Sequence, residues 1–374
     1  MFPRIVLFLT LLVLVFPTAA LAHDPSAWGG LFRSRDNGAT WFPADAGLFI
    51  GGGMALSIDP GDANHLLYAT DTRLLRSKNG GRDWVQEPGV QFAGPVYAVL
   101  FDQQGKAAIV STANRIFFRD DNSGWTDTLA PAGAAPARAI VAGGKQTYIA
   151  GEQGVFASDD GGRSWRRAGE SLPQAAVANL VVIPGTEETL LALVQGFIWA
   201  SDDAGATWEQ RDVGAAGARA DALAFDGKLW AAVQDRIYAS RDGGVNWAPV
   251  GNPLPERDTT IRGIAAADAD KTIVLTTHRG VMRSADAGKV WSIVESTLPV
   301  HLEAGPLIRD PHDAATLYAG FSMTPYNELW RRATGGANLM AQLDPVSLAG
   351  AAALLILLIV LSSLGVRWLI RVRA

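Results

Sequence analysis

The chain has 374 residues, 48% of them hydrophobic, with 40 glycines, 19 prolines and 12 tryptophans, enough apolar material for a sizeable core and too much for a disordered chain. Acidic residues outnumber basic ones 37 to 32. Four arginines (Arg4, Arg367, Arg371, Arg373) lie in terminal segments, so residues 23–345 carry 28 minus 37, or −9, which argues against a nucleic-acid partner.

The N-terminus reads as a secretory signal peptide over residues 1–22: Arg4, then an apolar run over residues 5–16, then Ala20-Leu21-Ala22 before His23. The absence of cysteine excludes a disulfide scaffold, a thiolate zinc site and a cysteine nucleophile. The five histidines (His23, His65, His278, His301, His312) show no metal-ligand spacing, so neither a metal nor a cofactor is expected.

From residue 34 onward one short motif recurs. Ser34-Arg35-Asp36-Asn37-Gly38-Ala39-Thr40-Trp41 fits S-x-D-x-G-x-x-W, and the pattern returns in full at Ser158 to Trp165, Ser201 to Trp208, Ser240 to Trp247 and Ser284 to Trp291. Degenerate copies end at Trp84, with Asn79 in the Asp place, and at Trp125, with one residue deleted; a trace follows Arg332, with Leu339 in the Trp place. Spacings between successive tryptophans from Trp41 to Trp291 are 43, 41, 40, 43, 39 and 44 residues. Each period holds four strand candidates, as over residues 220–225, 228–233, 236–240 and 246–250, which together make a propeller blade. The motif falls on the hairpin between third and fourth strands. There the carboxylates of Asp36, Asp160, Asp203, Asp242 and Asp286 can accept N–H groups of their own turn, the glycine supplies a positive φ, and Trp41, Trp84, Trp165, Trp208, Trp247 and Trp291 are expected to pack between blades.

These residues resemble the Asp-box, or BNR, repeat of sialidases, sortilin-type receptors, xyloglucanases and the photosystem II assembly and stability factors. The resemblance spans residues 31 to about 320. A box in nearly every period and a single propeller after a signal peptide are most similar to the photosystem II assembly factor group, which implies a non-catalytic protein-binding role. Xyloglucanases use two tandem propellers, for which the chain is too short.

Six complete four-strand units run from Met54 to about Glu295. The N-terminal part (residues 30–44) offers only third and fourth strands, and residues 306–321 only first and second, so the two ends are expected to share a seventh blade in an all-β, seven-bladed propeller over residues 23–345. Eight blades follow instead if residues 328–341 form a hairpin of their own. Residues 346–366 carry no charge, and 21 residues at about 1.5 Å each reach about 31 Å, which spans a bilayer core. With three arginines beyond it, residues 367–374 are expected in the cytoplasm and the body on the extracytoplasmic side. A cleaved sorting signal is the alternative for this tail.

In propellers the first strands line a central channel, and the loops leading into them open on one rim. There Arg138, Arg219 and Arg262 fall at similar points in three blades, with Tyr97 and Glu303 near comparable points in two others. Three guanidinium groups could hold a carboxylate, as the resemblance to sialidases implies, or each could pair with a neighbour such as Asp221 or Asp258. Asp59, Asp62, Asp268 and Asp270 fit turn chemistry better than calcium ligation, and the glycines at 51–53 fit no phosphate loop. The expectation is a membrane-anchored, extracytoplasmic propeller that binds another protein as an assembly or scaffolding factor. The rival is a sialidase-like glycoside hydrolase, which would need an acid and a nucleophile beside the arginines and lacks the Phe-Arg-Ile-Pro signature in its first blade.

Overall fold

The computed structural model describes residues 29–322 apart from the short stretches 46–47, 49, 51, 93, 103–107, 121–123, 186–187, 257, 268–270, 296–297 and 299–302. The expected signal peptide (1–22), spanning helix (346–366), tail (367–374) and the 328–341 hairpin fall outside these residues. Among the described residues there is no helix, and so none that could cross a membrane.

Seven antiparallel four-stranded sheets form the fold. Six follow the chain, spanning residues 53–86, 98–129, 139–167, 177–211, 220–250 and 261–293. Blade seven joins the two ends of the described chain. Its first two strands are Glu303–Arg309 and Leu317–Ser322, and the latter pairs with Gly30–Ser34, which in turn pairs with Phe42–Pro43. The first strands of neighbouring blades touch all the way round, and that of blade seven touches that of blade one. A Gly52–Ser322 bridge closes the ring beside them. Among the described residues the ring therefore closes with seven blades.

Burial follows radial position. Second strands such as Thr272–Thr277 and Leu317–Ser322 are buried at every residue because neighbouring blades cover both faces. Apolar clusters sit at the seams, for example Tyr148, Val155 and Ala168 of blade three with Leu190, Val194 and Trp208 of blade four. Fourth strands are only two to four residues long and mostly exposed. Short outer strands limit the unpaired edge that each blade presents to other chains.

The repeated motif builds a self-contained turn. In blade three the buried Ser158 hydroxyl donates to Asp160 Oδ1 (2.8 Å) and accepts the Gly162 N–H (2.8 Å). Asp160 Oδ1 also accepts the N–H groups of Arg163 (3.0 Å) and Ser164 (2.9 Å), and Oδ2 accepts the Ser164 hydroxyl (2.6 Å). Partial burial alone would raise the Asp160 pKa, but these hydrogen bonds outweigh it and hold the carboxyl at about 2. Hydrogen bonds from Asn246 and Ser240 do the same for Asp242, also at about 2, and Asp36, Asp203 and Asp286 are lowered too. Gly162 has φ +90°, and a Cβ there would lie 3.0 Å from Ile109 of the preceding blade, so glycine serves both the turn and the seam.

The tryptophans are not equally buried. Trp41, Trp84 and Trp208 are enclosed, whereas Trp165, Trp247 and Trp291 are half-buried. Trp84 and Trp208 donate Nε1–H to a carbonyl of the preceding blade, Ala44 (2.6 Å) and Ala168 (2.9 Å). At the degenerate box of blade two, Trp125 donates to the carboxylate of Glu87 instead (3.1 Å). Glu87 is fully buried, and Arg119 also hydrogen-bonds it while Arg76 stands 3.6 Å away. The regular packing at this seam is thus replaced by a buried ionic group.

Candidate functional site

The mouth of the channel is formed by the starts of the first strands and the hairpins between second and third strands. The box turns lie at the opposite rim. At the mouth, the first strands share a β-bulge: the register shifts between Gly53 and Ala55, Val177 and Asn179, Ala220 and Ala222, and Ile261 and Gly263. In blades two and three the same position is marked by the N–H groups of Tyr97 and Arg138, which bond the Ser111 and Ala150 carbonyls opposite Ala98 and Ala139. The bulged residue is therefore Met54, Tyr97, Arg138, Ala178, Asp221 and Arg262 in blades one to six. A bulge re-aims one side chain out of the sheet alternation, which makes these positions natural carriers of function.

Arg138 and Arg262 occupy equivalent bulge positions, and Tyr97 shares that level. Arg219 and Glu303 sit two residues earlier, in blades five and seven. Arg138 donates Nε–H to Glu152 Oε1 of its own blade's hairpin (2.9 Å), with Nη2 at 2.8 Å from the same oxygen. Arg262 Nη1 lies 2.7 Å from Glu303 Oε2 across the seam of blades six and seven, an ion pair at which that nitrogen lacks hydrogen-bond alignment. The Arg219 guanidinium stacks over Phe197 of blade four, 5.5 Å from the ring centre, and its stem lies against Gly196, where a Cβ would come within 3.1 Å. Tyr97 is 2% exposed, and burial raises its hydroxyl pKa. The structure thus brings Arg262 and Glu303 together and holds Arg138 and Arg219 on separate local partners.

A feature not singled out from the sequence is an acidic cleft at the same mouth, about 530 Å³, lined by Asp221, Gln234, Asp235, Asp258, Thr259 and Thr260. Asp258 adopts φ +62°, a conformation in which Asp is better tolerated than most residues. Asp221 is exposed at the cleft, yet the protein around its carboxyl removes enough solvation to push its pKa up to about 6. The signal in sequence was the aspartate beside each first-strand start of blades five and six, visible only once the blades are in register.

Elsewhere the acidic groups are occupied locally. Asp59 accepts the Gly61 N–H (2.8 Å) and contacts His65 Nδ1 (2.8 Å), and Asp62 accepts the Asn64 N–H (2.9 Å), so both serve turns. Asp268 and Asp270 lie outside the described residues. Among the described residues no group of three or more His, Asp or Glu side chains could hold a metal ion.

No family model and no curated protein matches the chain. Among solved structures, YCF48 bound to a D1 peptide is similar with a TM-score of 0.56 at 17% identity, covering 73% of this chain and 94% of that one. YCF48 from Cyanidioschyzon merolae is similar at 0.56 and 13%, covering 74% and 97%, and a streptogramin B lyase at 0.56 and 12%, covering 78% and 98%. At such identities the likeness shows the fold. One of these propellers holds a peptide and another is a lyase, so the chain's function has to be argued from its own surface. What the fold and the comparisons establish together is that the chain is a seven-bladed β-propeller, similar in fold to propellers that include YCF48.

Proposed function

We propose that the protein is a membrane-anchored, extracytoplasmic Asp-box propeller that acts without catalysis, binding another protein as an assembly or scaffolding factor of the photosystem II assembly factor type. The observation that carries this reading is the state of the mouth: Arg138 and Arg262 are engaged by Glu152 and Glu303, Arg219 is stacked on Phe197, and Tyr97 is buried. A sialidase-like site would need the arginines turned together onto one carboxylate beside an acid and an accessible nucleophile. A rim of paired charges and stacked arginine suits docking of a polypeptide, where such groups give orientation and specificity. The bound peptide of YCF48 supports the reading as a precedent for this fold.

The test joins a binding and a turnover assay on the full-length protein. Partner capture by the wild type should weaken in Arg219→Ala, and neither protein should hydrolyse sialosides or aryl glycosides. Turnover that disappears in Arg219→Ala while the melting curve is retained would replace this reading with the hydrolase.

A further inference from the structure

The box rim, at the far end of the channel from the mouth, carries a second arrangement that the repeat itself helps to interpret. At the seam of blades two and three, Arg163 in the box of blade three reaches across to the Asp120 carboxylate, just after the third strand of blade two, and also donates to its own Asp160 carbonyl (2.6 Å). The equivalent positions at the seam of blades seven and one are Arg82 and Arg35. Arg82 stands in Ser77 to Trp84 as Arg163 stands in Ser158 to Trp165, and Arg35 follows the third strand Gly30–Ser34 as Asp120 follows Arg115–Arg119. Where blades two and three set a cation against an anion, blades seven and one therefore set two cations.

Both arginines line one cavity of about 280 Å³, together with Arg33, His312, Asp310 and Asp313. The two acids are already occupied. Asp310 Oδ1 accepts the His312 N–H (2.9 Å), and Asp313 accepts the Ala315 N–H (3.1 Å) and the Thr316 hydroxyl (2.7 Å). Arg33 donates Nη1–H to the Gly80 carbonyl (2.6 Å). Among the described residues, the guanidinium groups of Arg35 and Arg82 have no hydrogen-bond or ion-pair partner, although Asp313 attracts Arg35 at longer range. In the box of blade one Asn79 stands where the five full boxes have an aspartate, and the turn's carboxylate is Asp83 instead, which is occupied locally by the Asn79 side-chain amide (2.7 Å). The formal charge of the ionic lining is three arginines minus two aspartates, or +1, on a body of −9.

We propose that this seam cavity binds an oxoanion, a carboxylate or phosphate-type group that bridges Arg35 and Arg82 as the Asp120 carboxylate meets Arg163 between blades two and three. Planar guanidinium groups favour such oxygens through paired N–H donors. The site lies away from the mouth residues of the proposed docking surface, so its failure would leave that reading standing.

The experiment measures binding of inorganic phosphate, and separately of a short Asp/Glu peptide, to the full-length protein at low ionic strength, with chloride at matched ionic strength as the control. Saturable binding is expected, and it should fall at least about tenfold in both Arg35→Ala and Arg82→Ala, the loss expected when a hydrogen bond to a charged group is removed. Arg35→Asp is the sharper variant because it rebuilds the pair seen between blades two and three: it should abolish anion binding while raising the melting temperature in anion-free buffer. Phosphate binding without peptide binding would identify a free phosphate as the source, and tighter binding of the peptide would identify a protein carboxylate. Absence of saturable binding by either probe, or unchanged binding in folded Arg35→Asp, would overturn the proposal.

Discussion

Trp208→Ala tests whether the box tryptophans hold the blades together. Trp208 is 6% exposed and packs at the seam of blades three and four among Tyr148, Val155, Ala168 and Leu190. Its Nε1–H bonds the Ala168 carbonyl (2.9 Å) and, more weakly, Gly205 (3.2 Å). Truncating a buried tryptophan costs about 3–5 kcal/mol, through lost apolar burial and the cavity left behind. The Ala168 carbonyl then loses its donor, which keeps the cost toward the upper end of that range. Trp247 is half-buried and bonds only within its own turn, to Gly244 (2.9 Å), so Trp247→Ala should cost about half as much. Gln210, exposed on the fourth strand of blade four, is the matched control, at about 0.5 kcal/mol or less. Calorimetric melting should place Trp208→Ala about 6–20 °C below the wild type, at about 2–4 °C per kcal/mol. A Trp208→Ala melt indistinguishable from that of Gln210→Ala would refute the inter-blade role.

The box aspartates have folded pKa values below the unfolded value near 3.8, so their contribution is complete above about pH 4 and is lost as pH falls toward about 2; melting temperatures should be level from pH 7 to 5 and drop in that acid window, and a level profile down to pH 2 would contradict the turn hydrogen bonding. Asp221 has the opposite sign: its raised folded pKa makes the ionised form unfavourable above about pH 6, so Asp221→Asn should raise the melting temperature at pH 7 and have no effect below about pH 4, whereas an equal shift at both would point to packing instead. Glu87→Ala should cost about 3 kcal/mol by stranding Arg119 in a buried seam, while Glu87→Gln, which keeps an acceptor for Trp125, should cost less; equal denaturation midpoints for wild type and both variants would show that the ionic seam contributes nothing. Residues 346–366 should keep the full-length protein in the membrane pellet after alkaline carbonate washing, and release into the supernatant would show that the tail is cleaved or peripheral.

The propeller could be read from the sequence because its information is local and repeated. A serine, a carboxylate and a glycine within five residues build a turn from their own hydrogen bonds, and each copy announces the same hairpin in every blade. The unpaired strands at the two chain ends likewise dictated the shared seventh blade, since an open sheet edge demands a partner. Which charges meet was decided by the tertiary structure. Arg138 and Arg219 fall at similar points in their repeats, but the strand pairing sets Arg219 two residues ahead of the level shared by Arg138 and Arg262, and brings Asp221 to that level instead. Glu303 reaches Arg262 through the register of two successive blades, whereas His312 reaches the Asp59 carbonyl (2.9 Å), and comes to share a cavity with Arg35 and Arg82, only because ring closure brings the last strands against the first blade. Pairings between side chains hundreds of residues apart depend on register and closure, and no local pattern encodes them.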